Sequence, residues 1–292
     1  MKRILVTGVN SFIGSSFEKW CHRFPGEYEV TMINLRGEQV DRMDFRGYDS
    51  VFHIAGIAHV SADKAMKDKY YKVNRDLAIM TAKRAKADNV KHFVFMSSIN
   101  VYGKSLEPMD NGKITIDTIP IPRNFYGDSK LQAEIGLKSL ADEDFKIAIL
   151  RPPMVYGKGA KGNYPKLVKF ALMVPFFPDY QNQRSMIHID NLCEFIRLII
   201  SDEAYGTFFP QNAEYSCTSN MVAWIVEAHG KKVQMTKIFN PLIRIMVKHS
   251  DIINRVFGSL AYDFAMSQYP QNYQLLSLKE SVFITEKPNV EQ

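Results

Sequence analysis

The stretch "RILVTGVNSFIG" at the start of the chain constrains the fold more than any other. Arg3 to Val6 is a short apolar run rich in β-branched residues, and Phe12, Ile13, Phe17, Trp20, Cys21 and Phe24 then recur at helical spacing. The order is strand, glycine turn, helix. In dinucleotide-binding folds such a turn uses glycines so that backbone N–H groups approach a pyrophosphate, which rests on the helix N-terminus. Gly8 and Gly14 hold the first and third glycine places, whereas Ser11 stands where the usual pattern has glycine. A small serine still permits close approach, and its hydroxyl can contact a phosphate. Gly8, Ser11, Phe12, Ile13 and Gly14 are therefore the first candidate cofactor-binding residues.

The alternation continues. Val30 to Ile33, Val51 to Ile54, Phe93 to Met96 and Ile147 to Leu150 read as strands. Helical segments run from Tyr70 to Lys86 and around Tyr126. Alternating β and α elements imply an α/β fold with a Rossmann-type, doubly wound parallel sheet. The residues after the second strand bear on cofactor choice, because an acid there suits the ribose 2′-OH of NAD and an arginine suits the 2′-phosphate of NADP. The slot reads "INLRGE": Asn34 in place of the acid, then Arg36. This favours NADP(H) among the NAD(P) cofactors, while Glu38 keeps an acid within reach.

At 292 residues the chain has room for one large α/β domain or two unequal lobes. Its net charge of +6 comes from scattered rather than blocked basic residues, which argues for anionic small molecules and against nucleic acid. Cys21, Cys193 and Cys217 fit no metal spacing and cannot all pair, so a reducing cytoplasm is the expected location. The apolar run near the N-terminus is too short for a secretory segment, and no run of 18 apolar residues exists to span a membrane. His53, His59 and His188 have neither metal spacing nor suitable flanks and are read as structural.

In "FYGDSK", Tyr126 and Lys130 lie one helical turn apart and face one spot. With the surrounding motifs, the chain resembles the short-chain dehydrogenase/reductase superfamily, specifically its extended, nucleotide-sugar-modifying branch. "VTGVNSFIG" is similar to that branch's threonine-glycine loop. "MDFRGYDSVFHIAG" resembles its adenine-binding aspartate and third-strand region, which brings in Asp44, Phe45, Ala55 and Gly56. "YYKVNRDLA" resembles the helix with a fixed asparagine, here Asn74. "FVFMSSINVYG" resembles the serine strand and "YGDSKLQAE" the catalytic helix. "LRPPMVYG", with Pro153, resembles the segment beneath the nicotinamide, and "QRSMIHIDNL" the chain's return from a substrate lobe.

The resemblance implies a division of labour. Tyr126 is the acid/base, and because a free phenol has a pKa of about 10 it needs a nearby cation to act near neutrality. Lys130 supplies that cation and bonds the nicotinamide ribose. Of Ser97 and Ser98, the family spacing selects Ser98, four before Tyr102, as the hydroxyl that orients the sugar, with Ser97 in support.

Beyond Gly157 the chain becomes rich in Lys, Gly, Pro and aromatics. The resemblance makes this a smaller C-terminal lobe for a nucleotide-diphosphate sugar, with Asn163 and Arg184 reaching the diphosphate. Residues 1–157 are expected to form the dinucleotide-binding domain, with 184–215 returning to it. Residues 158–183 and 216–292 are expected to form the smaller lobe. Lys158 and Lys161 are read as solvated, and Tyr164 and Phe176 as core. Asp190 and Asn191 are read as the cap of a packing helix. "IFNPLIRIMVKHSDIINRVFGSL" reads as a small-lobe helix, with membrane-surface contact as the alternative.

The function implied is a C4 epimerase working through a 4-keto sugar. The rivals are an NADPH-dependent 4-keto-sugar reductase and a non-catalytic dinucleotide sensor. A homodimer through the catalytic helix region is the implied assembly, and no metal site is expected.

Overall fold

A computed structural model of the chain describes residues 1–35, 37–57, 64–103 and 113–287. Six strands form one sheet: β1 (Lys2–Thr7), β2 (Tyr28–Ile33), β3 (Ser50–His53), β4 (His92–Met96), β5 (Lys146–Leu150) and β6 (Gly206–Phe208). Their order across the sheet is β6-β5-β4-β3-β1-β2, and every pairing is parallel.

Alternate residues of each central strand go to opposite faces, and both faces are buried. Ile4, Val6, Phe52, Val94, Met96, Ala148 and Leu150 pack on one side with α1 (Phe12–Cys21) and α5 (Ile189–Ser201). Leu5, Val51, Phe93, Phe95, Ile147 and Ile149 pack on the other with α2 (Leu77–Ala87) and α3 (Phe125–Lys138). Trp20 of α1 ties the first layer together by donating to Glu194 Oε2 of α5 at 2.9 Å.

Strand order reverses between β1 and β3, because β1 connects outward to β2 while β3 connects inward to β4. In open parallel sheets this reversal opens a crevice beyond the carboxyl ends of the strands. The glycine turn after β1 and the Ala55-Gly56 turn after β3 sit at that crevice.

A further core gathers α4 (Asn163–Met173), α6 (Thr218–Ala228), α7 (Asn240–His249), α8 (Asp251–Phe257) and α9 (Leu278–Glu286) around Tyr156, Phe177, Val222, Ile225 and Val282. Tyr164 is buried there, and Lys158 and Lys161 are exposed.

The segment from Tyr70 to Lys86 is helical, with a π turn, Tyr71–Asp76, joining the short helix Lys67–Tyr70 to α2. Three local expectations are corrected. The cap of α5 is His188, whose Nδ1 accepts from Asp190 N at 3.2 Å; Asn191 lies inside the helix and spends its amide on the backbone of Leu275 and Leu276. The C-terminal apolar-basic stretch forms two helices because Ser250 adopts an extended backbone and caps α8. Phe176 is half exposed, stacked on Phe239, and is not core.

Candidate active site

Thr7 organises the sheet edge. Its Oγ1 accepts from Ile54 N and Ala55 N, each at 3.2 Å, which leaves its proton for His53 Nδ1 at 3.1 Å. His53 lies buried between the rings of Phe93 and Phe95, and burial lowers its pKa to about 3. It is neutral and structural, as is His188, which burial also holds neutral. His59 lies outside the described residues.

The turn from β1 into α1 is built for close approach. Gly8 has φ +102°, in the region that favours glycine, and a Cβ there would stand 3.4 Å from Ala55 N. Ser11 caps α1 by accepting from Gly14 N at 3.1 Å. Its oxygen is thus directed at its own helix, and only its O–H remains to reach a phosphate. Phe12 and Ile13 follow, half-buried, and the first N–H groups of a helix have no intrahelical acceptor.

A Cβ on Gly14 would meet Ser11 Oγ at 2.6 Å, Met32 Cε at 3.0 Å and Ile54 Cδ1 at 3.3 Å. We expect Gly14→Ala to displace the cap and lift α1 from the sheet, costing about 1–3 kcal/mol and weakening dinucleotide affinity at least tenfold. Calorimetric titration with NAD and NADP alongside thermal melts checks this, and unchanged affinity would contradict it.

Gly56 faces α3. A Cβ there would come within 2.9 Å of Asn74 Oδ1 and 3.3 Å of Lys130 Nζ. Asn74, fully buried on the π turn, accepts from Ile57 N at 2.7 Å and donates to Ser129 Oγ at 3.1 Å, so it joins the β3 turn to α3. The structure therefore brings Gly8, Ala55, Gly56, Asn74 and Lys130 to one place. A dinucleotide fits this cradle, because side chains at its glycines would fill the approach to Ala55, Asn74 and Lys130. Pro153 is buried in the loop after β5.

Asn34 is exposed just past β2, and Arg36 lies outside the described residues. Asp44 is exposed, and the Arg46 guanidinium clasps its carboxylate at 2.7 and 2.9 Å, holding its pKa well below the usual range. Phe45 is buried in the sheet core, and its N–H donates to Asp88 at 2.8 Å.

Tyr126 and Lys130 lie on α3, whose N-cap is Asn124, accepting from Gly127 N at 2.8 Å. The helix sits hard against the turn Ile99–Tyr102: a Cβ on Gly127 would come 2.3 Å from Asn100 O. Asn124 and Gly127 are site-building residues the sequence reading missed. The cap was findable, since Asn directly precedes the helix and Gly lies three places on.

Ser98 Oγ accepts from Asn100 N at 3.2 Å and Asn100 Nδ2 at 2.9 Å. With its lone pairs so engaged, its proton is left for the neighbouring Tyr126, whose charged form it favours. Burial raises the Tyr126 pKa, and the nearby Ser98 hydroxyl opposes part of that rise. Lys130 Nζ, buried beside the Phe95 ring, donates to Met96 O at 2.7 Å.

Burial lowers the Lys130 pKa to about 8, with Glu134 opposing. An unfolded lysine titrates at about 10.4, so between those values the unfolded chain holds a proton the folded one has released. Stability contributed by this group accordingly rises as pH climbs through that window. We expect the unfolding free energy of the wild type, minus that of Lys130→Met, to increase from about pH 8 to about pH 10 in denaturant titrations. A flat difference would place the ammonium in water.

Ser97 turns away from Ser98 and donates to Glu134. Glu134 is fully buried and pairs with Arg151 through Nε and a terminal nitrogen at 2.6 Å, while another terminal nitrogen of Arg151 donates to Tyr102 OH at 2.6 Å. This network fixes α3 to the ends of β4 and β5.

Asn163 is exposed as the first residue of α4. Arg184 is held in an extended segment beside Ser216 and Leu260 and donates to Gly258 O at 3.0 Å. Burial lowers its pKa.

Residues 4–208 match the NAD dependent epimerase/dehydratase family. The chain is 32% identical to the UDP-glucose 4-epimerase of Vibrio cholerae, covering 90% of this chain and 88% of that protein. It is 26% identical to the N-acetyl-alpha-D-glucosaminyl-diphospho-ditrans,octacis-undecaprenol 4-epimerase of Escherichia coli O157:H7, covering 88% and 77%. Among solved structures, the fold is similar to Bacillus anthracis dTDP-4-dehydrorhamnose reductase in complex with NADP (TM-score 0.74, 18% identity, 98% of each chain). It is also similar to Bacillus cereus UDP-glucuronic acid 4-epimerase in complex with NAD (TM-score 0.72, 18% identity, 97% of each chain). The extent and order of these matches, together with the Ser98, Tyr126 and Lys130 geometry, make the chain an enzyme belonging to the NAD dependent epimerase/dehydratase family.

Proposed function

We propose that the protein is a nucleotide-sugar 4-epimerase. The observation that carries this reading is Ser98 beside the buried Tyr126, with Lys130 one helical turn on and close to Gly56. Similarity to the Vibrio cholerae enzyme supports the C4 position and a UDP-sugar as substrate class.

Tyr126 as phenolate accepts the proton of the sugar C4 hydroxyl and later returns it. Lys130 favours that phenolate by its charge. Ser98, its lone pairs held by Asn100, donates to whichever oxygen carries negative charge, the phenolate or the sugar oxygen. Gly8, Ser11, Gly14, Gly56, Asn74 and Lys130 would hold a nicotinamide cofactor, which would supply hydride acceptance and donation at C4. Reduction on the opposite face would require the 4-keto sugar to turn over within the site.

Asn163, in a lobe made of residues 158–183 and 216–292, and Arg184, where the chain returns to a dinucleotide domain of 1–157 and 184–215, hold the diphosphate. The three cysteines are free and buried, which supports a reducing, cytoplasmic location. The implied assembly is a homodimer through the α3 region.

A 4-keto-sugar reductase using NADPH is the second reading. It is favoured by Asn34 and Arg36 in place of the usual acid, and by likeness to the Bacillus anthracis reductase fold. The two separate on the purified protein: denature it, identify any released dinucleotide and quantify it per chain. Tightly held NAD near one per chain is the epimerase result; an empty site that takes up NADPH reversibly is the reductase result.

A further inference from the structure

Between Lys231 and Ser250 the chain carries Lys231, Lys232, Lys237, Arg244 and Lys248 and no acid. The fold turns this run into a surface. α7 buries Ile243 against the core of α4, α6 and α9, which fixes its rotation. Leu242 and Ile245, three apart on α7, then form an outward stripe, 56% and 62% exposed, and Ile238, 82% exposed, lies in the turn that leads into it. Phe239 and Met246 widen the stripe, and Phe176 extends it through its stack on Phe239. Arg244 and Lys248, four apart, line its flank. Leaving so many large apolar side chains in water has a cost that an isolated soluble surface rarely carries.

We propose that this face, α7 with the adjoining Phe176, docks on the surface of an anionic lipid bilayer. The apolar stripe enters the acyl boundary, and Arg244 and Lys248 remain at the headgroups, with their aliphatic stems alongside. Among the described residues no helix is long and apolar enough to cross a membrane, so the contact lies in the plane of the interface. Charge selects the occupant. In a two-fold pair of this chain every residue of the patch meets the same patch, which brings Arg244 and Lys248 of one copy toward those of the other, while the neighbouring acid, Asp179, is already paired with Lys237 at 3.8 Å. Anionic headgroups complement the same charges, each contributing on the scale of a fivefold change in affinity.

The test is co-sedimentation of the full-length protein with phosphatidylcholine vesicles, with and without about one-third phosphatidylglycerol. The protein should pellet only with the anionic vesicles and should be released as salt rises toward about 1 M. Leu242→Glu with Ile245→Glu should abolish pelleting without changing the melting temperature. Arg244→Gln with Lys248→Gln should weaken it by roughly 30-fold. Equal failure to pellet with both vesicles overturns the proposal. So does a wild-type dimer that the Glu pair converts to monomer without any vesicle binding, since that assigns the face to a second copy.

Discussion

Tyr126→Phe should lose turnover by about 10³-fold, within the range seen when a positioned acid/base is removed, while retaining its fold and its dinucleotide. The change deletes one oxygen from a buried ring. Ser98 keeps its two bonds from Asn100, and Lys130 keeps its anchor on Met96, so the surrounding frame stays in place. A loss in kcat with KM little changed marks a group needed for the chemical step. The assay is turnover on UDP-hexoses with thermal melts and dinucleotide content measured in parallel. Retention of more than a tenth of the activity would remove Tyr126 from the proton-transfer role.

Arg151→Met should lower stability more than any other substitution argued here. Glu134 is 1% exposed and Arg151 6%, so the pair lies away from water and the carboxylate would be left with Ser97 as its remaining hydrogen-bond partner. Breaking a buried pair from one side costs about 3–5 kcal/mol, which for a chain of this size lowers Tm by on the order of 10 °C. Tyr102 also loses the guanidinium at its hydroxyl. Replacing both partners, Arg151→Met with Glu134→Leu, removes the orphaned charge and should recover more than half of the loss in calorimetric melts. A double variant no more stable than the single one would show that the cost comes from packing around Arg151 instead.

The central strands were legible because their apolar runs are continuous. Phe93, Val94, Phe95 and Met96 are all buried, as a parallel strand covered on both faces requires. The glycine turn was legible because Gly8 and Gly14 answer to local backbone needs. What escaped depends on partners distant in sequence. Nothing near Glu134 announces that a helix and a strand will set it against Arg151, 17 residues on. Asn74 reads as part of an unbroken helix until its bonds to Ile57 and Ser129 fix the π turn. His188 caps α5 although histidine is not among the usual capping residues, so Asp190 and Asn191 drew the assignment. Phe176 has the composition of a core residue, and only its position at the edge of the α7 surface leaves it in water.

The central claim is that this chain removes hydride from a sugar C4 and returns it to the opposite face, with Tyr126 moving the proton. The most direct test uses UDP-glucose deuterated at C4, incubated with the purified enzyme and no added cofactor, with the product examined by NMR and mass spectrometry. The account predicts the C4 epimer with deuterium still at C4. No epimer from this or any other UDP-hexose, together with consumption of added NADPH on a 4-keto nucleotide sugar, would contradict it and leave the reductase in its place.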